Sequence, residues 1–244
     1  MYKVKNMNKN YNSDYVHHQN SQIIPLIKEI VFGMEDGMVS TLGAISGIAI
    51  GSYNHFIVIL SGLVIISVES ISMGIGVYLS SISEYGVQKR EVSEEKEEIE
   101  KYPYDEKKEM SSIFIRDGWP SDLAKDMSEV AHNDKELMLK EMSYRELNIF
   151  LGEKHYTIKK SFAMFVSYVI GGAIPLLAYF FFSISSAIYI SVFVTLFGLF
   201  LLGSFTSKYT KQNWIKSGIK VLLLGGVALI AGTVIGKLSN MFLG

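Results

Sequence analysis

The sequence predicts an all-α membrane protein, with five transmembrane helices and a cytoplasmic helical insert between spans two and three. Three observations carry that expectation. Five apolar runs each reach the roughly 20 residues that a helix needs to cross a bilayer. The charged residues, 19% of the chain, crowd into positions 88–153 and leave long tracts nearly bare. Lysines recur in segments that one orientation puts on a single side of the membrane. The mean hydropathy of +0.25 is therefore an average over a membrane part and a wet part.

In chain order, residues 1–30 read as a cytoplasmic tail and an interfacial lead-in. Positions 1–22 are polar, rich in Asn, Lys, Tyr and Ser, and lack the apolar core of a cleavable signal peptide. The His17–His18 pair is able to touch a metal, but a solvated tail is the stronger reading. Residues 23–30 (IIPLIKEI) set Lys28 and Glu29 at the membrane surface. Residues 31–82 hold span one (31–52) and span two (55–82), joined by the tight hairpin SYNH. Gly43, Gly47 and Gly51 form a smooth strip on one face of span one, with Gly33 and Gly37 before them. The strip fits packing within one subunit and packing between subunits equally.

Residues 83–160 form the insert. The run EVSEEKEEIEK (91–101) is a helical charge run, and Pro103 suits the first turn of the next helix. Gly118 is a plausible end for that helix. Ser121 is the expected cap of a third, and Asn133 with Glu136 resembles a capping box for a fourth that runs to about Leu147. Residues 161–244 carry span three (162–182), with Gly171, Gly172 and Pro175 in its middle, the hairpin SISS, span four (187–205), and span five (219–242). Such breakers are tolerated where neighbouring helices satisfy the freed backbone groups. Lys3, Lys5, Lys9 and Lys28 flank span one, and Lys208, Lys211 and Lys216 sit between spans four and five, while both hairpins lack basic residues. The N-terminus and the insert are thus expected in the cytoplasm, and the C-terminus on the opposite side.

The composition excludes several function classes. There is no Cys, so disulfides, thiolate metal sites and Cys nucleophiles are out. The formal net charge of -1 leaves no basic face for nucleic acid. No phosphate loop, nucleophile elbow or HExxH motif occurs, and His132 and His155 stand isolated. No enzymatic activity and no permanently bound cofactor are expected.

The chemistry concentrates in residues 32–79, which contain no Lys or Arg and only Glu35, Asp36 and Glu69 as acids. A carboxylate at bilayer depth costs about 2.5–3.5 kcal/mol on insertion scales, so it usually marks an ion path or proton relay. Asp36 lies one turn inside span one, as an entry ligand, a proton acceptor or one half of an ion pair with a nearby Lys. Glu69 and Met73, four apart, share a helix face. A carboxylate beside a thioether suits transient Fe²⁺, and carboxylates also suit Mn²⁺. In the insert, Glu95 and Glu98, Glu106 and Glu109, and Met142 and Glu146 each share one face of a helix. Clustered carboxylates repel unless cations or protons sit among them. Spacing alone favours a solvated charge run.

Three stretches resemble the vacuolar iron transporter family. They are GMEDGMVSTLGAISG (33–47), SISMGIGVYLSSISE (70–84) and the insert with its spacing of Glu95, Glu98, Glu106, Glu109, Met142 and Glu146. The resemblance implies a homodimer in the lipid bilayer, with an ion path between subunits lined by spans one and two. It implies Fe²⁺, with Mn²⁺ as a further cargo, exported from the cytoplasm by antiport against protons. Asp36 and Met73 would lie on that path. Glu95, Glu98, Glu106, Glu109, Met142 and Glu146 would form a metal-binding collecting site. The chain departs from the family at Val77 and Ile65, where relatives carry Glu; here the carboxylate is Glu69. Steps of four residues keep roughly one helix face and move the group about 6 Å along the axis, so the carboxylate is read as moved along the path. The rival reading is a membrane-anchored metal sensor or buffer that transports nothing. A di-iron oxidase ranks last, since Glu129 and His132 form the insert's one Glu-x-x-His pair.

Overall fold

A chain segment in hydrocarbon must satisfy its own backbone hydrogen bonds, which selects helices. The computed structural model describes residues 24–151 and 156–243, and among these it contains eight helices and no strand. They are α1 (Ile24–Ser52), α2 (His55–Lys101), α3 (Pro103–Arg116), α4 (Ser121–His132), α5 (Lys135–Arg145), α6 (Thr157–Phe181), α7 (Ile184–Thr210) and α8 (Trp214–Leu243). The His17–His18 pair and His155 lie outside the described residues.

α1 is the centre of the long-helix bundle and packs against α2, α6, α7 and α8. Its Met38, Leu42, Ile45 and Ala49 are buried, as are Thr41 and Ser46. Four helices, α2, α6, α7 and α8, are long and apolar enough to cross a membrane. α1 has the length, 29 residues, but carries Lys28, Glu29, Glu35 and Asp36. Of the long helices, α1 is the one its neighbours shelter most. The lead-in and first span are one unbroken helix. Glu29, expected at the membrane surface, is instead only 8% exposed, with an oxygen that has no hydrogen-bond partner among the described residues.

The glycine strip on α1 packs within the chain. A Cβ on Gly47 would lie 2.5 Å from the carbonyl oxygen of Gly232, and one on Gly43 would lie 3.0 Å from that of Ala228. Both partners are on α8. On another side of α1, Gly37 meets the backbone of Tyr168, and Gly171 meets that of Met34, so α6 also touches backbone to backbone. Pro175 inside α6 is accommodated, and its carbonyl accepts a 2.7 Å hydrogen bond from Ser191 of α7.

α2 does not stop at the end of its apolar half. Its 47 residues make a rod roughly 70 Å long at 1.5 Å per residue, and the charge run is its far end. That end joins α3, α4 and α5 in a second bundle, whose core is Ile99, Met110, Ile113, Phe114, Ala124, Ala131, Met138 and Met142. α3 ends as the sequence indicates. Gly118 has φ +97°, its N–H bonds to Ile115 O, and the N–H of Trp119 reaches back to Phe114 O, a Schellman closure. Two expected caps shift by one residue. Pro120 holds the cap position of α4 and Ser121 is already helical. Asp134 caps α5 by accepting from the N–H groups of Glu136 and Leu137, because Asn133 is taken up in closing α4.

Gly47→Leu should separate α1 from α8 and destabilise the bundle by about 1–3 kcal/mol, the usual cost of overpacking. Gly226→Ala, where nothing lies within 4 Å of a new Cβ, should be neutral or slightly stabilising. Thermal melts of the two variants in detergent, followed by size-exclusion chromatography, check this difference.

Candidate functional site

The second bundle stacks carboxyl groups on the same helix faces that supply its core. On α2, Glu95 and Ile99 are buried one turn apart; on α3, Glu106 and Met110 repeat the pattern. Glu95 is 3% exposed and Glu106 7%. One oxygen of each has no hydrogen-bond partner among the described residues. Burial first, then the negative charges of Glu146, Glu106, Glu98 and Glu109, push the Glu95 carboxyl up to about 8. Burial and then Glu109, Glu98, Glu146 and Asp105 push Glu106 up to about 7. Glu146, beside the C-terminus of α5, is also raised, by burial and then by Glu109 and Glu98, with Arg116 opposing. The five glutamates expected at a collecting site are therefore electrostatic neighbours. Among the described residues, no three Asp, Glu or His groups close on one point as a ready-made cage. The arrangement is an open carboxylate field, and a cation would have to draw its ligands inward.

Met142 is 1% exposed and packed with Met110 and Met138 in the core, one turn from Glu146. Arg145 braces this corner. It donates to Asp117 at 2.6 Å and to Glu141 at 3.0 Å, and lies over the Phe114 ring. Glu129 and His132 do not form a site. Glu129 is paired with Lys107, whose hydrogen bond holds its carboxyl below the usual range, and His132 packs on Tyr104.

A second constellation lies in the long-helix bundle. Asp36 is half-buried on α1 and within electrostatic reach of Glu69 on α2. Glu69 is exposed on this chain, and Met73, one turn on, is half-buried. Among the described residues, no ion pair joins Asp36 or Glu69 to a Lys or Arg. Lys220 of α8 approaches Glu35, which lies round the helix from Asp36. A groove of about 730 Å³ runs between α1 and α8, past Ser40, Gly43, Gly47 and Gly232. Glu69 and Met73 are not on its walls. Two residues here escaped the sequence reading. Ser40, four after Asp36 and hence on its face, was open to inference. Tyr168 comes from α6, 132 positions away in the chain from Asp36, and no local pattern announces it.

The chain is similar to known proteins over most of its length. The model of the VIT family matches residues 27–237. The vacuolar iron transporter of Plasmodium berghei (strain Anka) is 32% identical over 212 residues, covering 83% of this chain and 78% of that protein. That of Plasmodium falciparum (isolate 3D7) is 31% identical over 218 residues, covering 85% and 79%. Vacuolar iron transporter 1 of Arabidopsis thaliana is 27% identical over 213 residues, covering 87% and 85%.

The raised carboxyls make stability depend on pH. Between the ordinary glutamate value of 4.5 and the folded values of about 8 and about 7, the folded state holds more protons than the unfolded chain. Stability therefore falls as pH rises through that window. The metal-free protein should melt at progressively lower temperature from pH 5 to pH 8. Glu95→Gln and Glu106→Gln should each flatten that slope and raise the melting temperature at pH 8. Melts across the pH series decide the matter; an equal slope in the wild type and in Glu95→Gln contradicts it.

Proposed function

The chain belongs to the VIT family, and on that premise we propose that it carries Fe²⁺ across a membrane, out of the cytoplasm. It is an integral membrane protein, and we read α1 as a fifth span beside the four apolar ones. Its polar residues are sheltered by α2, α6, α7 and α8, which explains why apolarity alone undercounts the spans. In this reading the N-terminus and the second bundle, residues 83–160, are cytoplasmic, and the C-terminus lies opposite. Residues 31–82 and 161–244 make the membrane domain, and two copies pair so that the path runs between them. Mn²⁺ is a further cargo, and protons move in the opposite direction.

One observation carries this reading. Asp36 on α1 and Glu69 on α2 lie within electrostatic reach of each other, and neither has an ion-pair partner among the described residues. Two carboxylates in an apolar bundle repel, and a divalent cation or protons relieve that repulsion. A cation on this pair displaces protons, and protons returning from the far side displace the cation. Metal and proton movement are coupled by that competition. Met73 supplies a soft sulfur one turn beyond Glu69, a preference that fits Fe²⁺ better than Mg²⁺ or Ca²⁺.

The carboxylate field of the second bundle acts as a collector. Glu95, Glu98, Glu106, Glu109 and Glu146 attract the ion, with Met142 behind them. Glu95 and Glu106, partly protonated near neutral pH, release protons as they bind. Glu95 and Glu69 are on one helix, 26 residues apart, so roughly 39 Å separates them along the axis. No direct hand-over spans that distance. The collector raises the local ion concentration at the mouth of the path, and the membrane pair carries out the crossing.

Purified protein in proteoliposomes, given Fe²⁺, Mn²⁺ or Zn²⁺ under an imposed pH gradient, tests this. Fe²⁺ flux should follow the gradient and carry protons the other way. Asp36→Asn and Glu69→Gln should each bring flux to background while the folded protein elutes normally. Glu95→Gln with Glu106→Gln should raise the half-saturating metal concentration and leave the maximal rate nearly unchanged. Wild-type vesicles that bind metal but pass none would identify a buffer.

A further inference from the structure

We propose that Tyr168 is a positioning residue that holds Asp36 through Ser40 and thereby sets which divalent ions the membrane pair accepts. The inference rests on the transport reading above. Tyr168 is 0% exposed, and a buried phenol hydroxyl is costly unless it is hydrogen-bonded. Its oxygen lies 2.6 Å from Ser40 Oγ. Ser40 Oγ in turn donates to the main-chain carbonyl of Asp36 at 2.7 Å. Ser40 has one proton and spends it on that carbonyl, so Tyr168 is the donor to Ser40. The relay is thus Tyr168 O–H to Ser40 Oγ, then Ser40 O–H to the Asp36 carbonyl.

These hydrogen bonds tie α1 to α6 at the backbone of Asp36, the residue that carries the carboxylate. A serine that bonds back to the carbonyl four residues earlier bends its helix slightly, and the tyrosine holds that geometry in place. The backbones touch at the same height, where a Cβ on Gly37 would lie 2.8 Å from the N of Gly172 and closer still to the Tyr168 carbonyl. α1 has little room to slide there. The Tyr168 hydroxyl also lies within electrostatic reach of both Asp36 and Glu69, and Ser40 borders the open groove along α1 and α8. The charged groups around this point are Glu35 and Asp36 on α1, Glu69 on α2 and, against Glu35, Lys220 on α8.

Divalent ions of one charge are told apart by the geometry and type of their ligands. A ligand oxygen left loose accepts them more evenly, so a brace on Asp36 bears on selectivity rather than on folding alone. Tyr179 provides the contrast. It is on the same helix and 0% exposed, yet its hydroxyl has no hydrogen-bond partner among the described residues.

The test is the ratio of initial rates for Fe²⁺, Mn²⁺ and Zn²⁺ in proteoliposomes of the full chain. A ratio does not depend on how much protein is folded. Tyr168→Phe and Ser40→Ala should each change the Fe²⁺ to Zn²⁺ ratio by about threefold to tenfold, the worth of one buried hydrogen bond. The double variant should go no further than either single one, because both break the same relay. Ser40→Thr keeps the hydroxyl and should keep the ratio, and Tyr179→Phe should leave it unchanged. Rates that fall equally for all three ions in Tyr168→Phe and Ser40→Ala overturn the inference and leave the transport reading intact. A wild-type chain that moves none of the three ions overturns the transport reading, and this inference with it.

Discussion

Everything in the long-helix bundle depends on the close contact of α1 with α6 and α8. α1 carries Lys28, Glu29, Glu35 and Asp36, and it is covered by neighbours that come within backbone distance. Gly47 against Gly232 and Gly37 against Tyr168 make that approach possible. Dispersion and weak polar contacts stabilise such an interface, since lipid tails compete equally well for apolar side chains. The same packing that shelters α1 brings Asp36 within electrostatic reach of Glu69 and Tyr168 onto Ser40. Shelter and chemistry are therefore one arrangement, and loosening the glycine contacts would disturb both.

The two sets of carboxyl groups differ in physical character. In the second bundle the charge is concentrated. Burial and the neighbouring carboxylates raise the proton affinity of Glu95 and Glu106, each of which is buried with one oxygen lacking a hydrogen-bond partner among the described residues. The membrane pair is sparse, with two carboxylates, a thioether and a braced helix. It lies on the chain's partly exposed side, where Glu69 and the apolar residues Val68, Ile71 and Ile75 of α2 face outward. α2 joins the two sets as one continuous rod, so a tilt of that helix would be felt at both ends.

Much of the fold was legible from periodicity and punctuation. The tight hairpin at Tyr53–Asn54, the start of α3 at Pro103 and its end at Gly118 follow from local rules, while the second hairpin, expected over SISS, closes at Phe182–Ser183 because Ile184, Ser185 and Ser186 already form the first turn of α7. The cap of α5 moved by one residue because Asn133 and Asp134 compete for the same short turn and local pattern does not rank them, and that of α4 moved to Pro120, which makes no side-chain cap bond. The boundary between the second span and the charge run did not exist as a break, since nothing between residues 82 and 91 interrupts a helix. The burial of Glu29 was not legible because hydropathy describes a segment, while burial depends on which neighbours cover one face.

Alone, the sequence determined the helical character, the apolar lengths, the absence of Cys chemistry and the spacing of Asp36, Glu69 and the insert glutamates. These are properties of single helices, set by interactions within a few residues. Only the tertiary structure decided that the glycine strip closes on α8 of the same chain, that Asp36 comes within electrostatic reach of Glu69 while Lys220 acts on Glu35, and that Tyr168 reaches Ser40. Each of these joins groups on different helices, and which side of one helix meets another is set by packing of the whole bundle, which no local pattern encodes.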